Sequence, residues 1–317
     1  MNLPKIHSIT KKICVALLGG FLLIFLLFHA SANLCILRHD DGAWYSAFCH
    51  FMGTNYIVKT FEIVLIGAIL LHILLTVWLW LTNQLARPVK YHQPSKTKTH
   101  TGSKIMIWTG ILIFALLIVH FCDFYFIKLG LVKGKYMAQT EEINKNQELS
   151  QFVQACAQYG VTPDEFIASN EEQIAMYAEQ LNEEQLAGIN EQLDKMREMA
   201  PLANVLAKYD YTAEQEWIKG ISYEDRKIIR ETSDIEVEPD FYNMTREKFQ
   251  NPIYAMIYLV FFVIVWFHLR HAFASVFQTI GLSNYKYGNA IEIIAQIYAW
   301  AICLIFAAVV ILVFCGL

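Results

Sequence analysis

Four histidines lie inside four separate apolar stretches of the sequence, and they are the residues with the clearest chemistry. They are His29, His72, His120 and His268. An imidazole inside hydrocarbon costs free energy unless it is bound, and an axial pair of histidines is a common way to hold a haem iron. The four positions therefore predict two bis-histidine haem sites. The alternative for any single histidine is a hydrogen bond between helices.

The elements that position these histidines are long apolar runs. Of the 317 residues, 56% are hydrophobic and only 17% are charged, which is more apolar surface than one soluble core needs. Five runs are long enough to cross about 30 Å of hydrocarbon. They cover residues 13–36, 57–82, 104–127, 252–278 and 291–316. We therefore predict an all-α membrane protein with five transmembrane helices, the first of which is retained rather than cleaved as a signal.

Charge is distributed unevenly along the chain, and this predicts its orientation. Residues 137–250 contain 24 acidic and 10 basic side chains, whereas the remainder contains 5 acidic and 15 basic ones. The basic residues cluster before the first run and between the second and third, at Lys5, Lys11, Lys12, Arg87, Lys90, Lys96, Lys98 and Lys104. By the positive-inside rule these segments are cytoplasmic. We therefore expect residues 136–250 and the C-terminus to lie outside.

Helix direction then gives each histidine a depth. His29 and His120 each lie about seven residues before the outer end of their helices, roughly 10 Å below that surface. His72 and His268 each lie about ten residues before the inner end, roughly 15 Å from the other surface. This predicts one site between the first and third helices and a second site between the second and fourth.

A hydrophilic insert separates the third and fourth helices. It divides the chain into residues 1–135, 136–250 and 251–317, and its pattern predicts a small helical domain. Residues 162–165 (TPDE) resemble a helix start, and Pro201 is expected to end the helix whose apolar face recurs from Leu181 to Met196. Shorter helices are predicted at 202–209, 212–219 and 222–232. The insert could be a solvated cap, a lid over the outer site or a contact surface for another envelope protein.

Several motifs resemble one family of membrane proteins. The stretches are LLIFLLFHASANL around His29, residues 50–80 through His72, ARPVKY at 86–91, IVHFCDFYF around His120, and FHLRHAFASVFQTIGL at 267–282. They resemble the dihaem cytochrome b anchor of succinate:quinone oxidoreductases, that is, of succinate dehydrogenases and fumarate reductases. The subtype is the five-helix anchor of the Bacteroidetes and Wolinella kind. The insert departs from the family pattern, which usually has a short connection there.

The resemblance implies cofactors and partners. Two haems b are expected, a distal one on His29 and His120 and a proximal one on His72 and His268. His268 is favoured over His271 because the family ligand lies thirteen residues before a glycine, here Gly281. A quinone, expected to be menaquinone, is the substrate. A flavoprotein and an iron–sulfur subunit dock on the cytoplasmic face of the bacterial inner membrane, with the insert periplasmic, and the whole complex can form a homodimer.

Two acids and several basic residues are further candidates. Glu62, near the outer end of the second helix, and Asp123, three residues after His120, could exchange protons with a quinone or simply lie at the hydrated interface. Arg270, or Arg87 and Lys90, could pair with haem propionates.

Other classes of site find little support in the sequence. The seven cysteines form no CxxC pair, so an iron–sulfur cluster or zinc on this chain is not expected, and no nucleotide or nucleic-acid motif is present. Two rival hypotheses remain. The first is a dihaem anchor of a hydrogenase, formate dehydrogenase or heterodisulfide-reductase type. The second is a haem-free envelope scaffold.

Overall fold

Helices dominate the computed structural model, which describes residues 8–86, 101–209, 211 and 216–316. In chain order they are α1 (Ser8–Asn33), α2 (Ala43–Thr54), α3 (Tyr56–Leu85), α4 (Thr101–His120), α5 (Phe126–Lys128), α6 (Thr140–Asn144), α7 (Gln147–Tyr159), α8 (Pro163–Tyr177), α9 (Glu183–Leu206), α10 (Tyr223–Thr232), α11 (Phe241–Gln250), α12 (Pro252–Thr279) and α13 (Gly288–Phe314). Three short strands accompany them. These are β1 (Tyr136–Gln139), β2 (Trp217–Ile221) and β3 (Val237–Pro239).

Within the described residues, five helical segments are long and apolar enough to cross a membrane. They are Ile9–Leu37, Tyr56–Leu85, Ile105–Lys128, Pro252–Thr279 and Gly288–Phe314. The third continues past α4 through a π-helical turn, Phe121–Tyr125, into α5. The prediction of an all-helical protein with five apolar spans is therefore confirmed, and the chain is a multi-pass membrane protein.

Two of the spans begin with the same asparagine cap. Asn55 Oδ1 accepts hydrogen bonds from the backbone N–H groups of the second and third residues that follow it, at 2.9 and 3.3 Å, and α3 starts there. Asn251 Oδ1 does the same for α12, at 3.0 and 3.4 Å, with Pro252 as the first helical residue. Such caps satisfy N–H groups that have no partner inside the helix. They fix where α3 and α12 start.

The chain divides into two compact units, and the first contains the histidine-bearing helices. It consists of residues 1–121 and 245–317. The most extensive helix packing is between α12 and α13; further packing runs from α3 to α1, from α1 to α12 and from α12 to α4, and α13 also contacts α1. Tyr298 of α13 donates a hydrogen bond to the backbone carbonyl of Leu23 in α1 at 2.6 Å. In this order α3 lies diagonally from α12, and α1 lies diagonally from α4.

The second unit, Cys122–Met244, has its own hydrophobic core and a small sheet. The strand order is β2-β1-β3, with both pairs antiparallel, so that Ala138 lies opposite Ile218 on one side and Val237 on the other. Helices α7, α9 and α10 supply most of the remaining core side chains. The largest fully buried ones include Tyr136, Ile143 and Leu206.

Parts of the predicted insert structure were wrong. The sheet was not predicted, and part of the helix expected at 212–219 is instead β2, because Trp217, Ile218 and Ile221 are buried in its pairing with β1. Pro201 does not end its helix: α9 continues to Leu206. A proline inside a helix costs about 3 kcal/mol. Burial of the four apolar residues Leu202, Ala203, Val205 and Leu206 offsets that cost.

Other local predictions for the insert are confirmed. Thr162 Oγ1 accepts a hydrogen bond from the backbone N–H of Glu165, and Glu165 Oε2 accepts one from the backbone N–H of Thr162, so α8 begins with a capping box. The hydrogen bond from the Thr162 N–H lowers the pKa of Glu165. The predicted helix at 222–232 is α10, which runs from Tyr223 to Thr232.

A buried carboxylate joins α9 to α10. Asp225 is 7% exposed and accepts hydrogen bonds from Lys208 Nζ at 2.8 Å, Tyr209 Oη at 2.6 Å and Ser222 Oγ at 2.7 Å. Burial opposes ionisation of Asp225, yet these three donors together hold its pKa below the ordinary value. The ionised form therefore stabilises the second unit.

Replacing this carboxylate tests its contribution. Asp225→Asn is expected to lower the free energy of unfolding of the second unit at neutral pH by about 1–3 kcal/mol, because buried donors lose a charged acceptor. A lowered pKa gives stability that is present above the ordinary carboxyl pKa and is lost as the pH falls through the lowered value. The difference from the wild type should therefore shrink in acid. Urea unfolding of the full chain, detected by proteolysis, measures this difference in the free energy of unfolding. The exposed Asp234→Asn is the matched control. An equal loss in both variants would contradict the assignment.

Candidate functional site

His29 and His120 face each other within the first unit. Their ring centroids are 6.0 Å apart, and the ring planes are inclined by 79°. His29 lies near the end of α1, and His120 is the last residue of α4. The sequence predicts that these two residues lie at the same depth, and the structure brings them together.

The spacing of this pair can be compared with metal ligation. Metal–nitrogen bonds of about 2 Å, with each ring centre about 1 Å behind its nitrogen, place two axial imidazoles on one metal about 6 Å apart. The observed separation of His29 and His120, 6.0 Å, is compatible with this value and also with an ordinary edge-to-face contact between two rings. Edge-to-face inclination of the rings is compatible with axial ligation, because each imidazole can rotate about its bond to the metal.

Aromatic side chains surround the His29–His120 pair. Phe25 stacks on His29 with centroids 5.3 Å apart, and Phe306 of α13 lies 5.7 Å from the same ring. Tyr258 of α12, which is 7% exposed, lies 6.5 Å from His120. This apolar shell excludes water and offers flat faces that suit a macrocycle as well as another side chain.

His268 is held by a neighbouring helix. Thr109 Oγ1 of α4 lies 3.1 Å from His268 Nδ1 of α12. The same hydroxyl donates to a carbonyl of its own helix, Met106 O at 3.0 Å or Ile105 O at 3.3 Å. With that proton on the α4 carbonyl, Oγ1 would accept a hydrogen bond from an Nδ1–H of His268. This tautomer leaves Nε2 with a lone pair, as a metal ligand requires.

A glycine lets His268 lie close to α4. A Cβ placed on Gly110 would be 3.5 Å from Cε1 of His268, which is van der Waals contact. A larger side chain there would push the imidazole away from Thr109. The sequence Thr109-Gly110 thus supplies both the hydrogen-bond acceptor and the space for the ring.

His72 lies against α1 in a similar way. A Cβ on Gly19 would be 3.5 Å from Cε1 and 3.9 Å from Nδ1 of His72. Nδ1 is buried and has no hydrogen-bond partner of normal geometry, although the ring interacts with the backbone carbonyl of Val15, one turn before Gly19. His72 is within electrostatic range of His268. A buried nitrogen without a good partner is costly, which favours a bound group at this imidazole.

His271 and Arg270 follow His268 on α12. His271 is within electrostatic range of His268 and has interactions of its own. Thr109 bonds His268, and this supports the choice of His268 as the ligand. The guanidinium of Arg270 lies over the ring of Trp266, 5.7 Å from its centroid. Arg87, Lys90 and most of the 86–91 motif lie outside the described residues.

The two candidate acids remain predictions. Glu62 is half-buried on α3, and Asp123 is 6% exposed in the π-helical turn after α4. Both have interaction partners in the structure. Asp123 belongs to the second unit and Glu62 to the first.

Two residues of the site were not predicted from the sequence. Thr109 and Tyr258 lie in runs that are otherwise apolar, and each could only be connected to its histidine once the helix neighbours were known. Among the described residues, no group of three or more histidine, cysteine, aspartate or glutamate side chains could hold a metal ion. A pair of histidines is smaller than such a group and is sufficient for a haem iron.

Comparisons with protein-family models, with curated proteins and with solved structures found no match to this chain. In this site, histidines lie on diagonally opposed helices of a membrane bundle.

The Thr109–His268 hydrogen bond can be tested directly. Thr109→Val keeps the side-chain shape and removes the acceptor, so binding of a haem at His268 should weaken by about 10–100-fold. Thr109→Ser should restore it. Haem content and midpoint potential of the purified protein are the measurements. Thr60→Val is the control, because the Thr60 hydroxyl bonds only its own helix, to Tyr56 O at 2.9 Å. Equal behaviour of the two valine variants would show that Thr109 does not orient the ligand.

Proposed function

We propose that this chain is a dihaem cytochrome b that anchors a succinate:quinone oxidoreductase in the membrane and carries electrons between an iron–sulfur subunit and a quinone. The observation that carries the proposal is the 6.0 Å separation of His29 and His120 across the bundle. The orientation of His268 by Thr109 supports a second ligand at the other level. The first observation concerns a histidine pair that a bis-histidine haem needs, and the second concerns one histidine of the other proposed pair.

The residues present fit two haems b. His29 and His120 would hold one, and His72 and His268 the other. When bound, haem supplies one-electron transfer at a potential set by its axial ligands and their surroundings. The chain's own residues orient the imidazoles, through Thr109 for His268, and keep water away, through Phe25, Phe306 and Tyr258 for the outer pair.

The partners and location follow from the resemblance and the charge pattern. No dicarboxylate site is assigned to this chain, so succinate or fumarate chemistry would belong to a flavoprotein subunit, with an iron–sulfur subunit between it and the membrane. Basic segments before α1 and between α3 and α4 support docking of these subunits on the cytoplasmic face of a bacterial inner membrane. Menaquinone is the proposed substrate, with Glu62 and Asp123 as candidate proton carriers.

Spectroscopy of the histidine variants tests the proposal. The purified protein should contain two haems and show the reduced-minus-oxidised bands of six-coordinate haem. His29→Ala or His120→Ala should remove one haem, and His72→Ala or His268→Ala the other, because each iron loses an axial ligand. His39→Ala, on an exposed loop residue, is the control and should keep both.

Three outcomes would count against parts of this proposal. Colourless protein with no extractable tetrapyrrole would leave the scaffold hypothesis. Loss of a haem from His271→Ala but not from His268→Ala would overturn the ligand choice on α12. Co-purification of hydrogenase or formate dehydrogenase subunits, instead of a flavoprotein and iron–sulfur pair, would favour the rival anchor.

The proposed orientation has a separate test. With the second unit in the periplasm, trypsin added to spheroplasts should cut at Lys195 and Arg197 of α9, whose side chains are about half exposed. A cytoplasmic iron–sulfur subunit in the same sample should stay intact as the control for membrane integrity. Cleavage only after the membrane is opened would reverse the orientation.

A further inference from the structure

The second unit contains a buried arginine without a carboxylate partner. Arg226, on α10, is 8% exposed. Its Nη1 lies 3.4 Å from the hydroxyl of Tyr136, its guanidinium lies over the Tyr136 ring at 4.5 Å from the centroid, and its Nε is buried with no hydrogen-bond partner. A buried guanidinium is normally paired, because an unpaired buried charge is strongly unfavourable.

The neighbouring carboxylates are engaged elsewhere. Asp225 accepts hydrogen bonds from Lys208, Tyr209 and Ser222. Glu224 pairs with Lys133 at 3.3 Å and with Lys227 at 3.7 Å. Within the part of the chain that the structure describes, no carboxylate forms an ion pair with Arg226. An anion from outside the chain would therefore complete the charge balance at Arg226.

The backbone around the guanidinium leaves room for it. Gly130 has φ +71°, and a Cβ there would collide with Nη1 and lie 3.5 Å from Nη2 of Arg226. The carbonyl of Gly130 accepts a hydrogen bond from the hydroxyl of Tyr223 at 3.2 Å. Glycine at position 130 is thus required both by its backbone conformation and by the close approach of Arg226.

The position of this site along the chain indicates what the anion is. Gly130 is two residues beyond Lys128, where the third apolar span ends, so it lies where the chain leaves the membrane. Next to it, Leu129, Leu131 and Val132 are 49%, 70% and 38% exposed. Exposed aliphatic side chains beside a cationic group are typical of the membrane interface, where phosphate headgroups lie.

We propose that Arg226 binds the phosphate of a phospholipid headgroup at the end of the third span, while Leu129 and Leu131 contact its acyl chains. The guanidinium would donate to two phosphate oxygens in its planar fork geometry. The site ties the second unit to the bilayer surface and is independent of any haem.

Native mass spectrometry of the full chain in detergent tests this site. Phosphatidylglycerol is titrated, with diacylglycerol as the phosphate-free lipid and sodium phosphate as the lipid-free anion. Arg226→Gln should bind phosphatidylglycerol about tenfold more weakly, since a charge-assisted hydrogen bond is lost. Arg230→Gln, an exposed arginine one turn later on the same helix, should bind as the wild type does.

Each other outcome decides against the proposal. Equal retention of diacylglycerol would mean apolar contact alone, and equal binding of sodium phosphate would mean an ion site rather than a lipid site. If Arg226→Gln does not fold, hydrogen–deuterium exchange of the wild-type protein tests the site instead. Phosphatidylglycerol should protect residues 127–136 and 222–230, and protection elsewhere only would overturn the site.

Discussion

The first unit depends on one constraint. An imidazole in hydrocarbon needs a partner at each ring nitrogen that water would otherwise solvate. His268 meets it with Thr109 on the neighbouring helix, and His29 lies in ring contact with His120. His72 meets it only in part, since its Nδ1 is buried without a partner of normal geometry. A polar ring is costly in lipid, so the histidine faces of the helices turn inward and their aliphatic faces turn outward. This placement of polar and aliphatic faces sets the orientation of each helix about its axis.

The order of helix packing explains how four histidines can serve two sites. Helices α1 and α12 pack against each other and each packs against one further ligand-bearing helix, α3 for α1 and α4 for α12. The two proposed histidine pairs therefore lie on the two diagonals, α1 with α4 and α3 with α12. Diagonal helices of a four-helix bundle are separated by its interior, where cofactor sites in bundles lie. Glycines occur where a ring touches an adjacent helix, as Gly19 does beside His72 and Gly110 beside His268.

The sequence predicted the five spans well because apolar run length is a local property that the bilayer imposes on each helix separately. Pairing His29 with His120 was also within reach, since rise per residue and helix direction give depth. Thr109 could not be assigned in the same way, because its role depends on which helix lies beside α12. The sheet of the second unit was missed for a related reason: β1 pairs with strands about eighty and one hundred residues later, and short strands carry little local signal. The prediction that Pro201 ends its helix was wrong because burial of the apolar residues that follow it outweighs the local cost of a proline inside a helix.

The threonines of the membrane helices show why the Thr109 contact is informative even without a cofactor. Thr60, Thr76 and Thr82 each donate to a carbonyl of their own helix, which satisfies the hydroxyl without a contact to another helix. Thr109 makes the same bond and also meets His268 across the helix interface. That second contact links α4 to α12 and restrains the orientation of the imidazole. With Nδ1 as the donor, Nε2 would keep a lone pair of fixed direction, so binding of the proposed haem would cost less reorganisation than at a freely rotating histidine.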